Sequence, residues 1–106
     1  IDSLIFTVSN EGYLYALDKN KGNIIRITDL FKNYKEKERK KVNPVGFTVG
    51  NQKLYLTNTD GTMIVANLNT GNISKIEKVS GGMISKPFIY KNNLFVIKNG
   101  SIVQYN

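Results

Sequence analysis

The groups in this sequence that could carry chemistry are few. Eight carboxylates, Asp2, Glu11, Asp18, Asp29, Glu36, Glu38, Asp60 and Glu77, are scattered over 106 residues, and there is no Cys, His or Trp. Lacking His, the chain has neither the usual general base near neutral pH nor the commonest metal ligand. Lacking Cys, it has no disulfide and no thiolate metal site. The run "DKNKGNIIRITD" sets Asp18, Asn20, Gly22 and Asp29 at offsets that mimic a calcium-binding loop. The glycine such a loop needs for its sharp turn would fall on Asn23, and Ile24, Ile25 and Ile27 fill its middle. A β-turn closed by Asp18 on its own backbone, followed by a strand, accounts for the same residues. We therefore expect no metal and no cofactor.

The other chemically distinct feature is charge. The net charge is +7, and residues Lys32 to Lys41 hold six cations against two anions, more than half of the excess. Within this segment Lys37, Arg39, Lys40 and Lys41 are the candidate contacts for a partner. Without Arg-rich or aromatic interleaving the run is not a base-stacking surface, so we expect no nucleic acid. Leu30, Phe31 and Tyr34 lie upstream at helical spacing, which predicts a short helix starting near Asp29 as N-cap. "NIS" at 72–74 and "NGS" at 99–101 match the glycosylation acceptor pattern, at a frequency an Asn-rich chain reaches by chance.

The elements that must position these groups read as β-strands. "LIFTV", "YLYAL" and "NIIRI" alternate with "SNEG" and "DKNKG"; "KLYLT", "TMIVANL" and "ISKIEKV" alternate with "NTDG" and "NTGN". β-Branched and aromatic residues fill the runs while Asn, Asp, Lys and Gly fill the gaps, the signature of hairpins. The two series lie 49 positions apart, with Gly12 matched to Gly61 and Gly22 to Gly71, places where positive φ is expected. A third series, "SKPFIYKN", "NLFVIKNG" and "SIVQYN", follows at a shorter interval. Short antiparallel strands recurring about every 40 residues are the mark of a β-propeller blade. The expected fold is all-β, a fragment of a β-propeller holding about two and a half four-stranded antiparallel blades. On that template residues 4–28 form a partial blade, 29–42 a basic insertion, 43–79 a complete blade and 84–106 a partial last blade. Tyr13, Phe47, Tyr15, Tyr55, Phe88, Tyr90, Phe95 and Tyr105 are the expected aromatic core between blades. The terminal strands would leave unpaired edges, so self-association through them is expected.

"NPVGFTVGNQKLYLTNTDGTMIVANLNTGN" and "EGYLYALDKNKGN" resemble the PQQ-like propeller repeat, and "GNISKIEKVSGGMISKPFIYKNNLFVIKNGSIVQYN" is similar to the C-terminal end of BamB-type outer-membrane assembly lipoproteins. The resemblance implies a non-enzymatic protein-binding scaffold on the periplasmic side of the outer membrane, with the barrel-assembly machinery as partner. The alternative it leaves open is part of a PQQ-dependent or other propeller enzyme whose active residues lie in further blades. PQQ-like repeats usually end their Gly turn and fourth strand with a Trp that packs between blades. This chain has "GNIIRI" and "GNISKI" there, so Ile24, Ile25, Ile27, Ile73 and Ile76 are expected to take over that packing. The adjacent cysteines and Trp floor of the quinoprotein enzymes have no counterpart in this chain.

Overall fold

Strict alternation of side chains across each strand sorts the apolar residues into two separate cores. In the computed structural model, which describes residues 3–82 and 84–105, ten strands form three antiparallel sheets. Ile1, Asp2, Met83 and Asn106 lie outside the described residues. The first sheet comprises β1 (Leu4–Val8), β2 (Tyr13–Asp18) and β3 (Ile24–Asp29), in chain order. The second comprises β4 (Pro44–Gly50), β5 (Lys53–Asn58), β6 (Thr62–Asn67) and β7 (Ile73–Lys78). The third comprises β8 (Phe88–Tyr90), β9 (Asn93–Lys98) and β10 (Ser101–Tyr105). One short helix, α1 (Glu36–Arg39), interrupts the link between the first two sheets.

The second sheet is the middle layer. Leu54, Leu56, Ile64 and Ala66 point one way and meet Leu14, Leu30, Phe31 and Val42. Met63 and Val65 point the other way and meet Leu94, Val96, Ile84 and Val79. This is why "TMIVAN" is an unbroken apolar run: β6 is covered on both faces. Phe47 and Ile73 support the first core, and Tyr55, Val103 and Tyr105 the second. The innermost strands β4 and β8 touch, and a Cβ on Gly50 would meet the Ile89 methyl, so the sheets converge there and fan outward.

The echo of 49 residues is structural down to its irregularities. Both sheets carry a register shift at corresponding places, Ala16/Leu17 and Val65/Ala66. Gly12 and Gly61 have φ of 90° and 82°, and their carbonyls accept the amides of Leu30 and Val79, in each case at 2.9 Å. A Cβ on Gly12 would strike the Phe31 ring, and one on Gly61 the Ser80 carbonyl. The repeat thus continues through Phe31 and Ser80, three residues into the segment expected to be inserted. The tight β4–β5 and β8–β9 turns hold both central residues at positive φ, Asn51 and Gln52, then Lys91 and Asn92, the turn that follows strand twist.

Two expectations are corrected. The helix does not start at Asp29, which ends β3; its N-cap is Lys35 and it spans a single turn. The helical spacing of Leu30, Phe31 and Tyr34 comes instead from tertiary anchoring. The isoleucines expected to replace the Trp packing are mostly uncovered: Ile24, Ile25, Ile27 and Ile76 are exposed, and only Ile73 joins a core. β3 ends the first sheet, and its outward face meets no neighbouring sheet among the described residues. Of the aromatics, Phe88 and Phe95 stack on each other with centroids 5.6 Å apart, and Tyr90 is exposed.

Candidate functional site

Where β3 ends, the chain makes a long excursion over one rim of the sheets before entering β4. Five side chains anchor it. Leu30 and Phe31 are buried in the first core, and Phe31 packs edge-on against Tyr34 with centroids 5.3 Å apart. The Tyr34 hydroxyl donates to Asp60 Oδ2 at 2.6 Å, in the turn between β5 and β6. Arg39 folds back onto Asp29 through two bonds of 2.7 Å, its guanidinium lying 5.3 Å from the centroid of the Tyr13 ring. Val42 is buried at the exit.

The Asp60 turn is tightly wired. Its Oδ1 accepts the Thr62 hydroxyl at 2.7 Å and the Thr62 amide at 3.1 Å, while Asn58 Nδ2 donates to the same Thr62 hydroxyl. Burial opposes ionisation of Asp60 more than any other single influence. The Thr62 and Tyr34 hydroxyls, the Thr62 amide and the Lys78 charge together outweigh it and hold the carboxyl below its usual range. Tyr34 is pushed up to about 12, first by burial and then by the Asp60 carboxylate it bonds. Arg39 is raised, chiefly by its bonds to Asp29.

The four nominated contacts therefore divide. Arg39 is an internal staple. Lys37, within the single helical turn, and Lys40 and Lys41, directly after it, are exposed. The anions nearby are spent locally: Glu38 Oε1 accepts the Lys35 amide at 3.3 Å, and Glu36 lies 3.9 Å from Lys40 in an exposed pair. Lys32, Lys37 and Lys41 have no side-chain ion pair among the described residues. Sequence reasoning missed Tyr34 and Asp60 as fasteners of this surface, since nothing local links residues 26 apart.

The calcium-like spacing resolves into a turn. Asp18 Oδ1 accepts the amides of Asn20 and Lys21 at 2.8 and 3.1 Å, and Asn67 does the same for Asn69 and Thr70 at the same two distances. Asp18 and Asp29 stand at opposite ends of β2, opposite Leu4 and Tyr13 respectively. No group of three or more metal-ligating side chains occurs among the described residues.

A concavity of about 880 Å³ opens between the second and third sheets, reaching from Gly50 and Ile89 at the inner strands to Glu77 on β7. Tyr55, Met63, Val65, Leu94 and Tyr105 line it, with the Lys75–Glu77 pair (2.9 Å) on one wall. Among the described residues β7 has no counterpart in the third sheet, where β10 is the last strand. Among the described residues no helix is long and apolar enough to cross a membrane.

No known family profile matches the chain, and no curated protein does. Solved structures do match. The WD40 β-propeller domain of Doa1 superimposes with a TM-score of 0.71 at 15% identity, covering 97% of this chain and 32% of that one. BamB from Moraxella catarrhalis gives 0.67 at 18%, covering 96% and 29%. A europium-containing methanol dehydrogenase gives 0.64 at 18%, covering 92% and 19%. The fold is that of a β-propeller fragment, and the chain spans less than a third of the length of each of these three structures.

Proposed function

We propose that this chain is a non-enzymatic protein-binding scaffold, with a BamB-like role in assembling outer-membrane β-barrel proteins on the periplasmic side of that membrane. The observation that carries the reading is the anchored rim excursion. A segment held by Leu30, Phe31, Tyr34, Arg39 and Val42 keeps its exposed face in one geometry, so binding need not order it first. The rest of the support is the likeness to BamB together with the repeat phrases that resemble BamB-type proteins. Propellers present loops at fixed positions on rigid sheets, which suits recognition of a protein surface.

A second reading, part of a propeller enzyme, is favoured by the likeness to the methanol dehydrogenase. One experiment separates the two. Purified chain is titrated with detergent-solubilised barrel-assembly complex and, separately, with the quinone and calcium. Saturable binding of the complex supports the scaffold. Stoichiometric uptake of quinone and calcium, with no binding of the complex, contradicts it.

A further inference from the structure

The rim excursion has an unusual division of labour. Every aromatic and apolar anchor it owns points inward: Leu30 and Phe31 are buried, Tyr34 is tied to Asp60, and Val42 closes the exit. Its only arginine is consumed by Asp29. The outward face is left with lysines. Lys37 and the C-cap residue Lys40 stand at i and i+3 across the helical turn, the spacing that places side chains on one side, and Lys41 follows directly, also exposed. Lys32 and Lys35 are exposed on the approach to it.

Resting on the scaffold reading, we infer that this lysine face is the docking surface for an acidic segment of a protein partner. Ammonium groups act as separate point charges, matching carboxylates strung along a chain. The planar forked recognition that phosphate groups favour needs arginine, and Arg39 is already engaged. Base stacking needs exposed rings, and membrane insertion needs exposed apolar side chains; the excursion turns both inward. Because the backbone beneath is pinned at both ends, the lysines keep their relative positions without further ordering. The opposite rim makes an internal control. The β2–β3, β4–β5 and β8–β9 turns lie there, and Lys21, Lys53 and Lys91 at those turns are exposed too.

The test uses a fluorescent peptide alternating glutamate and glycine, read by anisotropy at low and physiological salt. Wild type binds it, more weakly as salt rises, and the K37E/K40E/K41E variant loses roughly tenfold or more in affinity. The K21E/K53E/K91E variant, with the same change in net charge, keeps wild-type affinity. Equal weakening by both variants means that bulk charge alone attracts the peptide, and overturns the assignment. So does stronger, excursion-dependent binding of anionic phospholipid vesicles or of a single-stranded oligonucleotide than of the peptide. Circular dichroism of each variant establishes that the sheets persist. If the barrel-assembly complex binds wild type and K37E/K40E/K41E alike, the lysine face is refuted while the scaffold reading stands.

Discussion

Asp18 and Asn67 hold corresponding turns, and each accepts the backbone amides two and three residues on. The charge on Asp18 is therefore not what the turn needs. Asp18→Asn should change stability by less than about 0.5 kcal/mol, and Asp18→Ala should cost about 1 kcal/mol through loss of the amide bonds. Urea unfolding with and without calcium measures both; a calcium-dependent midpoint that Asp18→Asn abolishes would revive the metal loop. Tyr34 is the more demanding residue. Tyr34→Phe removes its bond to Asp60 and should cost about 1–2 kcal/mol near neutral pH. The folded-state pKa of Tyr34 is raised from 10.0 to about 12, so the folded form holds this proton more tightly than the unfolded form. Stability tied to Tyr34 is thus full below pH 10 and is lost as pH climbs to about 12. The gap between wild type and Tyr34→Phe should shrink across that window; a constant gap would contradict the assigned environment. Asp60 works in the opposite sense, its depressed pKa giving stability that disappears on acidification.

At the scale of elements, two turns that both hold a positive-φ glycine differ in how much room they leave. Gly61 has positive φ and the Ser80 carbonyl against it, whereas Gly22 has positive φ with open space around it. Gly61→Ala should cost roughly 2–5 kcal/mol and Gly22→Ala only about 1 kcal/mol. Similar losses in thermal or chemical unfolding would mean that the close approach at Gly61 is absent. The excursion has its own test. Arg39→Met should cost about 1–2 kcal/mol, the partial exposure of the pair keeping the loss modest. Amide exchange should accelerate over residues 32–41 while the amides of β5 and β6 stay protected. Uniform acceleration would show that Arg39 supports the whole sheet and not the excursion. The strands were legible in the sequence because each obeys a local rule: alternation within, turn formers between, and an echo at 49 residues. The excursion was only half legible. Its charge and its place in the chain could be read, but its fastening could not. Asp29 pairs with a side chain 10 residues away and Tyr34 with one 26 away, and no local periodicity encodes either. The isoleucines of β3 misled for a related reason: a strand's apolar character shows that it suits a covered face, and says nothing of which chain covers it.

The molecule measures 42 × 38 × 19 Å, a flat array about as thick as its strands are long. Its two ends are apolar. Ile5, Ile24, Ile25 and Ile27 are exposed on the first sheet, and Tyr90, Ile97 and Ile102 on the third. Exposed faces of this kind beside unpaired strand edges favour association between copies. Light scattering should show mass rising with concentration, and Ile27→Lys with Ile102→Lys should suppress it; a wild type that stays monomeric throughout would oppose this. The central claim is that the second sheet is a middle layer with a different partner on each face. Methyl NOE spectroscopy tests it most directly. Contacts should join Leu14 and Leu30 to Leu54, Leu56 and Ile64, and separately Leu94 and Val96 to Met63 and Val65, with none between Leu14 and Leu94. A single network linking all of these methyls would contradict the layered arrangement, and the rim surface built upon it.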